Sequence, residues 1–371
     1  MRGLSAAFSA LLVATVAHSA PQYRVTDIYK DSYHVSFDAS GINANGDIAG
    51  TQDIDIEGPE AMYLQHSTGS WVLLPPLAAS RETESTAAVS INDYGKIVGG
   101  ATSPQTYAFV PVAWYTSGGM EEIGPYPNGT AVAAAAVANT GQAVGTGLID
   151  DVGGAQRAVL YRWSTHSMSN LGQLGGNLSA ATAISGRGGF ITGWSRLASG
   201  DDHAFLYQYQ NGPMKDVGTL GGKTSQATGV NESGEVVGYS TTASGAQHAF
   251  VYRQGKLVDL GNLAPRPDWS VGANGINDRG EIVGYASADV GGYPTQRAFV
   301  HTDGQMYNLT FMVVPSDPMF GYVKLQSALA INCNGWILAT GYDTRDTPIS
   351  WRHTYLLIRQ GAVRAECPQP H

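Results

Sequence analysis

The side chains with the clearest capacity for chemistry are carboxylates in the variable loops of the chain. They are Asp53, Asp55, Asp150, Asp151, Asp201, Asp202, Asp289, Asp343 and Asp346. Carboxylate oxygens suit Ca²⁺, which takes six to eight oxygen ligands, and paired carboxylates act as acid and base in glycan cleavage. Solvated acidic loops that keep the chain soluble are the third interpretation. No loop has the spaced Asp pattern of an EF-hand, so the residues leave these three interpretations open.

Three histidines form a second set, because His203, His248 and His353 open phrases of similar sequence, HAFLY, HAFVY and HTYLL. Equivalent positions of a repeat lie in different structural units. A repeated hydrogen bond to a neighbouring loop is therefore a better interpretation than a shared metal or catalytic site. The sequence has no G-x-S-x-G, H-E-x-x-H, paired C-x-x-C or phosphate-loop motif. A Ser/His/Asp triad assembles from distant residues, and nothing in the sequence indicates one.

A ten-residue phrase supplies the framework that must position these residues. Its copies are GINANGDIAG (41–50), SINDYGKIVG (90–99), AVANTGQAVG (136–145), AISGRGGFITG (183–193), GVNESGEVVG (229–238), GINDRGEIVG (275–284) and AINCNGWILA (330–339). Each copy has the pattern of a strand, a polar turn with Asn or Gly, and a second strand, since Asn and Gly accept turn conformations. The copies end at 50, 99, 145, 193, 238, 284 and 339, and this period indicates stacked or radial units.

Two further strands follow each phrase. The third includes the HAF-like segments and alternates with period two, and the fourth resembles MKDVGTLGG (214–222). Seven four-stranded units predict an all-β, seven-bladed β-propeller, with an open array of β-repeats as the alternative. The predicted units are about 34–80, 81–129, 130–176, 177–222, 223–264, 265–320 and 321–367.

The phrases GIN..G..VG, HAF and DLG.LGG together resemble the HAF-repeat family, which is named for that tripeptide. The resemblance covers nearly all of residues 34–363, although HAF itself is intact only at 203–205 and 248–250. Arg157 and Arg297 replace its histidine in two copies. The resemblance implies an extracellular location and a repeat architecture. It implies no activity and no catalytic residues.

The predicted topology places the acidic loops on one face of the disc, where turns 2–3 and connections 4–1 lie. The Asn/Gly turns on the other face are short and uniform, which indicates a structural role. Variable loops on a rigid scaffold commonly carry binding sites. The sequence therefore predicts a binding module for an extracellular ligand such as a glycan or a protein. The alternative is a carbohydrate-active hydrolase or lyase that uses acidic residues of the same face.

The N-terminus has the pattern of a secretory signal peptide over residues 1–19. Arg2 precedes an uncharged apolar run from Leu4 to Ala17, which is shorter than the roughly 20 residues of a membrane span. The mature chain is therefore expected to be secreted, or periplasmic, and monomeric, with no membrane span. The formal charge of −9 and the absence of a basic run argue against nucleic acid as a partner. No cofactor is predicted beyond the calcium considered above.

Two features predict how the chain ends are held. Residues 22–28 resemble a fourth strand and are expected to complete the last blade, with 361–364 as a competing segment. The two cysteines of an exported chain, Cys333 and Cys367, predict a disulfide. Two half-buried free thiols are the alternative.

Overall fold

The strands fall into seven separate antiparallel sheets of four strands each. A computed structural model of the chain describes residues 20–33, 35–55, 58–77, 85–124, 129–149, 155–263, 269–290, 293–346 and 351–361. Neighbouring sheets pack face to face, and the last sheet also contacts the first. The chain is therefore a seven-bladed β-propeller, as the repeats predict. Within these residues, two short 3₁₀ turns lie at Trp163–Thr165 and Leu309–Met312.

Each blade is built from consecutive strands, and only the last blade also takes a strand from the other end of the chain. β1 is Tyr23–Lys30. Blades 1 to 3 contain β2 (Val35–Ile42), β3 (Ile48–Ile54), β4 (Gly58–Gln65), β5 (Ser70–Leu73), β6 (Thr86–Ile91), β7 (Lys96–Thr102), β8 (Phe109–Tyr115), β9 (Met120–Glu122), β10 (Gly129–Ala138), β11 (Gln142–Ile149), β12 (Ala155–Arg162) and β13 (Ser167–Asn170). Blades 4 and 5 contain β14 (Gly175–Ile184), β15 (Phe190–Leu197), β16 (Asp202–Gln208), β17 (Lys215–Gly218), β18 (Gly221–Val230), β19 (Val236–Thr242), β20 (Gln247–Arg253) and β21 (Lys256–Asp259). Blades 6 and 7 contain β22 (Ser270–Ile276), β23 (Ile282–Val290), β24 (Tyr293–Thr302), β25 (Gln305–Asn308), β26 (Val323–Ile331), β27 (Ile337–Asp343) and β28 (His353–Arg359).

The recurrent asparagine of the repeat stabilises both its own turn and the neighbouring blade. In blade 5, Asn231 Oδ1 accepts hydrogen bonds from the backbone N–H groups of Ser233 and Glu235, at 3.1 and 3.0 Å. Its Nδ2 donates to the carbonyl of Asn277 in blade 6, at 3.2 Å. Equivalent bonds include Asn332 Nδ2 to the carbonyl of Asn43, at 2.9 Å, which joins blade 7 to blade 1. The repeated Asn thus has the predicted turn role and also links blades.

Six of the seven phrases end in a glycine that lies at a close approach of two strands, and blade 7 has Ala339 at this position. The inner strand of every blade carries a register irregularity opposite this position, as between Ala227 and Gly229 in blade 5. The irregularity brings the carbonyl oxygen of Gln226 to 2.0 Å from where a Cβ on Gly238 would lie. A β-bulge re-aims the strand in this way, so a side chain at Gly238 would clash with backbone.

The hydrophobic core is divided among the blade interfaces. Each cluster of buried apolar side chains joins two neighbouring blades, as when Phe205 of blade 4 packs with Leu160 of blade 3. The cluster between blades 7 and 1 contains Ile48, Leu64, Leu338 and Leu356. Burial of apolar surface is the main favourable term in folding, so the contact between the first and last blades stabilises a closed ring.

β1 completes the last blade as its outermost strand. It pairs antiparallel with β28, from Tyr23 opposite Arg359 to Lys30 opposite His353. The free edge of β1 is covered by the long connection between blades 6 and 7. There the N–H of Val314 donates to the carbonyl of Tyr23 at 2.9 Å, and the N–H of Val25 donates to Asp317 Oδ2 at 2.9 Å. The last interval between repeat phrases is the longest because it includes this connection. The connection covers an edge of β1 that would otherwise be open to pairing with another chain.

Cys333 is disulfide-bonded. Cys367 and residues 362–364 of the competing segment lie outside the described residues, so the Cys333–Cys367 pairing stays a prediction. Within the described residues, no helix has the length and apolar content that a membrane span requires.

Candidate functional site

The exposed aromatic side chains concentrate on one face of the propeller. We call the side with the 2–3 loops and 4–1 connections the loop face, and the opposite side the turn face. Among the described residues, the exposed aromatic side chains in or beside loop-face segments are Tyr33, Tyr107, Phe109, Phe311, Phe320 and Tyr322, whereas the turn face has Tyr94. Three of them, Phe311, Phe320 and Tyr322, lie in the connection between blades 6 and 7, and exposed apolar groups gathered in one region commonly mark an interaction site. The loop face is therefore the candidate binding surface.

A polar groove opens on the loop face beside blade 6, where Gln326 of blade 7 approaches it. Its volume is about 490 Å³, and it is lined by Ser270, Ser287, Ala288, Asp289, Thr295, Gln296 and Gln326. Hydroxyl and amide groups dominate the lining, with one carboxylate from Asp289. Such groups both donate and accept hydrogen bonds. The groove thus suits a neutral ligand that is rich in hydroxyl groups.

The other predicted acidic residues of the described chain lie as pairs on blades 1, 4 and 7, and several have partners nearby. Asp202 pairs with Arg196 at 2.8 Å, and Asp201 accepts from Ser199 Oγ at 3.0 Å. Asp343 pairs with Arg345 at 2.5 Å. The Arg345 hydrogen bonds hold the pKa of the Asp343 carboxyl below its ordinary value, although burial opposes the shift.

Asp53 and Asp55 are exposed in blade 1, at the loop-face end of β3. Asp150 and Asp151 lie outside the described residues. In the described ranges, no group of three or more His, Cys, Asp and Glu side chains is placed to hold a metal ion. Among the described residues, the structure therefore keeps these carboxylates as neighbouring pairs in the loops of blades 1, 4 and 7, with Asp289 in blade 6, and it does not bring the pairs together in one site.

The histidines of the HAF phrases each bind an aspartate of the fourth strand in the same blade. His203 Nδ1 lies 3.0 Å from both carboxylate oxygens of Asp216. His248 Nδ1 lies 2.7 Å from Asp259 Oδ2. The predicted repeated hydrogen bond exists, but it joins strands of one blade and does not reach a neighbouring loop. The HAF and DLG phrases recur together because their side chains contact each other.

The fourth-strand aspartate also stabilises the turn that follows it. Asp259 Oδ1 accepts from the backbone N–H of Gly261 at 2.8 Å. In blade 3, where Arg157 replaces the histidine, Asn170 takes the same position and accepts from Gly172 N–H at 2.8 Å. Asp and Asn both form such turns. The turn role is thus kept where the histidine is absent, so the fourth-strand residue stabilises its turn independently of the histidine.

We predict a small energetic coupling between His248 and Asp259. Their side chains are 22% and 41% exposed, and exposed ion pairs contribute about 0.2–1 kcal/mol. A double-mutant cycle with His248→Gln and Asp259→Asn, measured by denaturant unfolding, should therefore give a coupling below about 1 kcal/mol. A coupling near zero in the same cycle on His203 and Arg253, which lie in different blades, is the control. A coupling of several kcal/mol for His248 and Asp259 would contradict a modest structural role.

The blade 7 copy of this pair fastens the N-terminal strand. His353 is buried, with Nδ1 2.6 Å from Asp27 Oδ2 and Nε2 2.7 Å from Asp346 Oδ2. Lys30 Nζ lies 2.8 Å from Asp346 Oδ1. The hydrogen bonds from Lys30 and His353 hold the pKa of the Asp346 carboxyl below its ordinary value. Burial raises the pKa of Asp27, although His353 opposes the shift. Asp346, a predicted ligand residue, thus contributes to ring closure.

Aromatic and charged side chains lie beside this seam on the loop face. The rings of Tyr33 and Trp351 meet edge to face, with centroids 5.3 Å apart. Arg352 Nη2 lies 2.8 Å from Asp38 Oδ1 and its Nε lies 3.0 Å from Asp31 Oδ2. Sequence reasoning missed this group because its members come from the two ends of the chain. The resemblance of residues 22–28 to a fourth strand was the one signal that joins those ends.

Solved structures show that the fold has counterparts. The chain is similar to the β-propeller domain of the Trilobed protease from Pyrococcus furiosus, with a TM-score of 0.58 and 9% identity, over 90% of this chain and 100% of that one. That domain is described as having an open velcro topology, whereas β1 closes the ring here.

Two longer proteins also match. A structure from work on two prolyl endopeptidases has a TM-score of 0.53 and 12% identity, over 92% of this chain and 51% of that one, so this chain spans about half its length. TolB from Acinetobacter baumannii has a TM-score of 0.43 and 13% identity, over 83% of this chain and 62% of that one. At these identities, the two matches with TM-scores above 0.5 show the fold alone. No family model and no curated protein sequence matches the chain.

Proposed function

We propose that the chain is an exported binding module that holds a neutral glycan on its loop face. The observation that carries the proposal is the polar groove beside blade 6. Sugars present neighbouring hydroxyl groups that donate and accept hydrogen bonds, and the groove offers Ser, Thr and Gln side chains that do the same. Specific sites commonly combine such polar groups with apolar and aromatic surface, which Phe320 and Tyr322 supply on the same face.

Export is the part of the proposal that rests on the N-terminal sequence. The pattern of residues 1–19 and the resemblance to the HAF-repeat family both support a secreted or periplasmic location. A binding module outside the cell needs a rigid scaffold for its loops. The bonds between blades and the paired terminal strand provide that rigidity.

The expected result is that the mature chain, residues 20–371, binds neutral oligosaccharides on a glycan array. Gln296→Ala and Asp289→Ala should each weaken binding about tenfold, since each removes a hydrogen-bonding group from the groove. Gln208→Ala on the exposed turn-face end of β16 is the matched control and should leave affinity unchanged. Isothermal titration with the best array ligand measures the differences.

Three results would contradict the proposal. Binding to a peptide array, together with no binding to any oligosaccharide on the glycan array, would indicate a protein partner. Turnover of a polysaccharide or aryl glycoside that Asp201→Asn abolishes would indicate the hydrolase or lyase. Glycan binding that Gln296→Ala and Gln208→Ala leave equally unchanged would exclude the groove as its location.

A further inference from the structure

A second cavity lies on the propeller axis at the turn face, which is the opposite side of the disc from the groove. Its volume is about 250 Å³, and every blade contributes to its lining. The lining comes from the ends of the inner strands and from the first residues of the turns that follow. The cavity is therefore built by the repeat phrase itself, at the positions where the copies differ in charge.

The lining has an aliphatic layer with one residue from each blade. The second residue of every copy of the repeat phrase lines the cavity, and each of them is Ile or Val: Ile42, Ile91, Val137, Ile184, Val230, Ile276 and Ile331. Contact with an alkyl group would remove apolar surface from water, and this transfer favours binding.

The rim above this layer is anionic. Two positions further along the phrase, Asp93, Glu232 and Asp278 line the cavity, and Arg187 is the one charged group of opposite sign in the lining. Asp93 Oδ1 accepts from the N–H of Ala44 at 2.7 Å, and Asp278 Oδ1 accepts from the N–H of Glu232 at 2.9 Å. The backbone of the preceding blade therefore fixes these carboxylates at the mouth of the cavity.

We propose that the axial cavity binds a primary ammonium group carried on a short alkyl chain. The aliphatic layer takes the chain, and the rim carboxylates accept hydrogen bonds from the ammonium. The volume lies below the roughly 300–1,000 Å³ of pockets for drug-sized ligands, which favours a slender chain over a ring system. Burial raises the pKa of Glu232, and a bound cation would offset that loss of solvation. A free alkylamine can place its tail in the aliphatic layer and its ammonium at the rim, whereas a lysine side chain of a peptide is tethered at its alkyl end and would enter ammonium first.

The test is isothermal titration of the mature chain with butylammonium, butyrate and 1-butanol at equal ionic strength. Butylammonium should bind at least about tenfold more tightly than either control compound, because only it pairs with the rim. Nα-acetyl-lysine amide then tests the orientation: it should bind at least about tenfold more weakly than butylammonium, and tighter binding would contradict an ammonium held at the rim.

Glu232 accepts from the backbone N–H of Arg187, and Asp278 accepts from that of Glu232. Glu232→Gln and Asp278→Asn keep an oxygen that accepts these bonds and remove the charge, so each should weaken butylammonium binding about tenfold. Asp202→Asn on the loop face is the matched control and should have no effect. Equal affinities for the three compounds, or unchanged affinity in both rim variants, would overturn the proposal. The groove lies on the opposite face, so glycan binding and butylammonium binding can each be absent while the other is present.

Discussion

Deletion of residues 20–30 should lower the free energy of unfolding by several kcal/mol and make the chain associate. The deletion removes β1, which contributes the buried side chains of Tyr23 and Val25 to the interface of blades 6 and 7. Each buried side chain of this size contributes about 1.5–3 kcal/mol. The loss is large against a total stability of roughly 5–15 kcal/mol. Denaturant unfolding and light scattering of the purified chain measure the two effects.

Association is expected because the deletion exposes β28, the strand that pairs with β1 along its length. An unpaired strand edge is a template for pairing with another chain. A truncated protein that stays monomeric and unfolds at the full-length denaturant concentration would contradict closure by β1.

Substitutions within β1 provide a control for the deletion. Val25 is buried and Thr26 is exposed on the next position of the strand. Val25→Asp should therefore destabilise the chain by several kcal/mol, because it places a carboxylate in the apolar interface. Thr26→Asp should change stability by less than about 0.5 kcal/mol, as surface substitutions commonly do. Equal effects would mean that the strand does not pack as described.

The blades could be predicted from the sequence because each is a local unit. Strand alternation, the turn residues and the period all lie within about 50 residues. The position of β1 could also be predicted, since Asp27 occupies the place that Asp216 and Asp259 have in their own blades. The His–Asp pairing was visible as well: Asp accompanies His in blades 4, 5 and 7, and Asn170 and Asn308 accompany Arg in blades 3 and 6.

For the candidate groove, the sequence predicted the face of the propeller but not the residues that form the groove. The sequence placed Asp289 and Asp346 on one side of the disc. It did not show that Asp289 lines a groove while Asp346 fastens the N-terminal strand to blade 7. That difference depends on which side chains of other blades lie nearby. The axial cavity was missed because the Asn/Gly turns were interpreted as a purely structural face.

Glu281→Gln should destabilise the chain by about 3 kcal/mol, the lower part of the range for breaking a buried ion pair. Glu281 lies in blade 6 with its side chain 6% exposed. It accepts from Asn277 Nδ2 at 2.8 Å and from Arg279 Nε at 3.0 Å, and it also pairs with Arg359 of blade 7. A glutamine amide would place a donor against a guanidinium and leave positive charge uncompensated. Denaturant unfolding at pH 7 measures the loss.

Blade 5 offers a matched control at the same position of the repeat. Glu235 accepts from Asn231 Nδ2 at 2.8 Å, but its side chain is 22% exposed and its guanidinium partner, Arg253, lies 3.6 Å away. Glu235→Gln should therefore cost less than about 1 kcal/mol. Equal losses for Glu281→Gln and Glu235→Gln would contradict a special role for the blade 6–7 contact.

The pH dependence of Glu281→Gln gives an independent check. Burial alone would raise the pKa of Glu281, but the Asn277 hydrogen bond and the guanidinium groups of Arg279 and Arg359 outweigh it and hold the pKa below its ordinary 4.5. A carboxyl whose pKa is lowered by folding contributes stability above its unfolded pKa and loses it as the pH falls through the folded pKa. The stability difference between wild type and Glu281→Gln should therefore be largest near neutral pH and shrink below pH 4.5. A difference that stays constant from pH 7 to pH 3 would assign the loss to packing and exclude the charge as its cause.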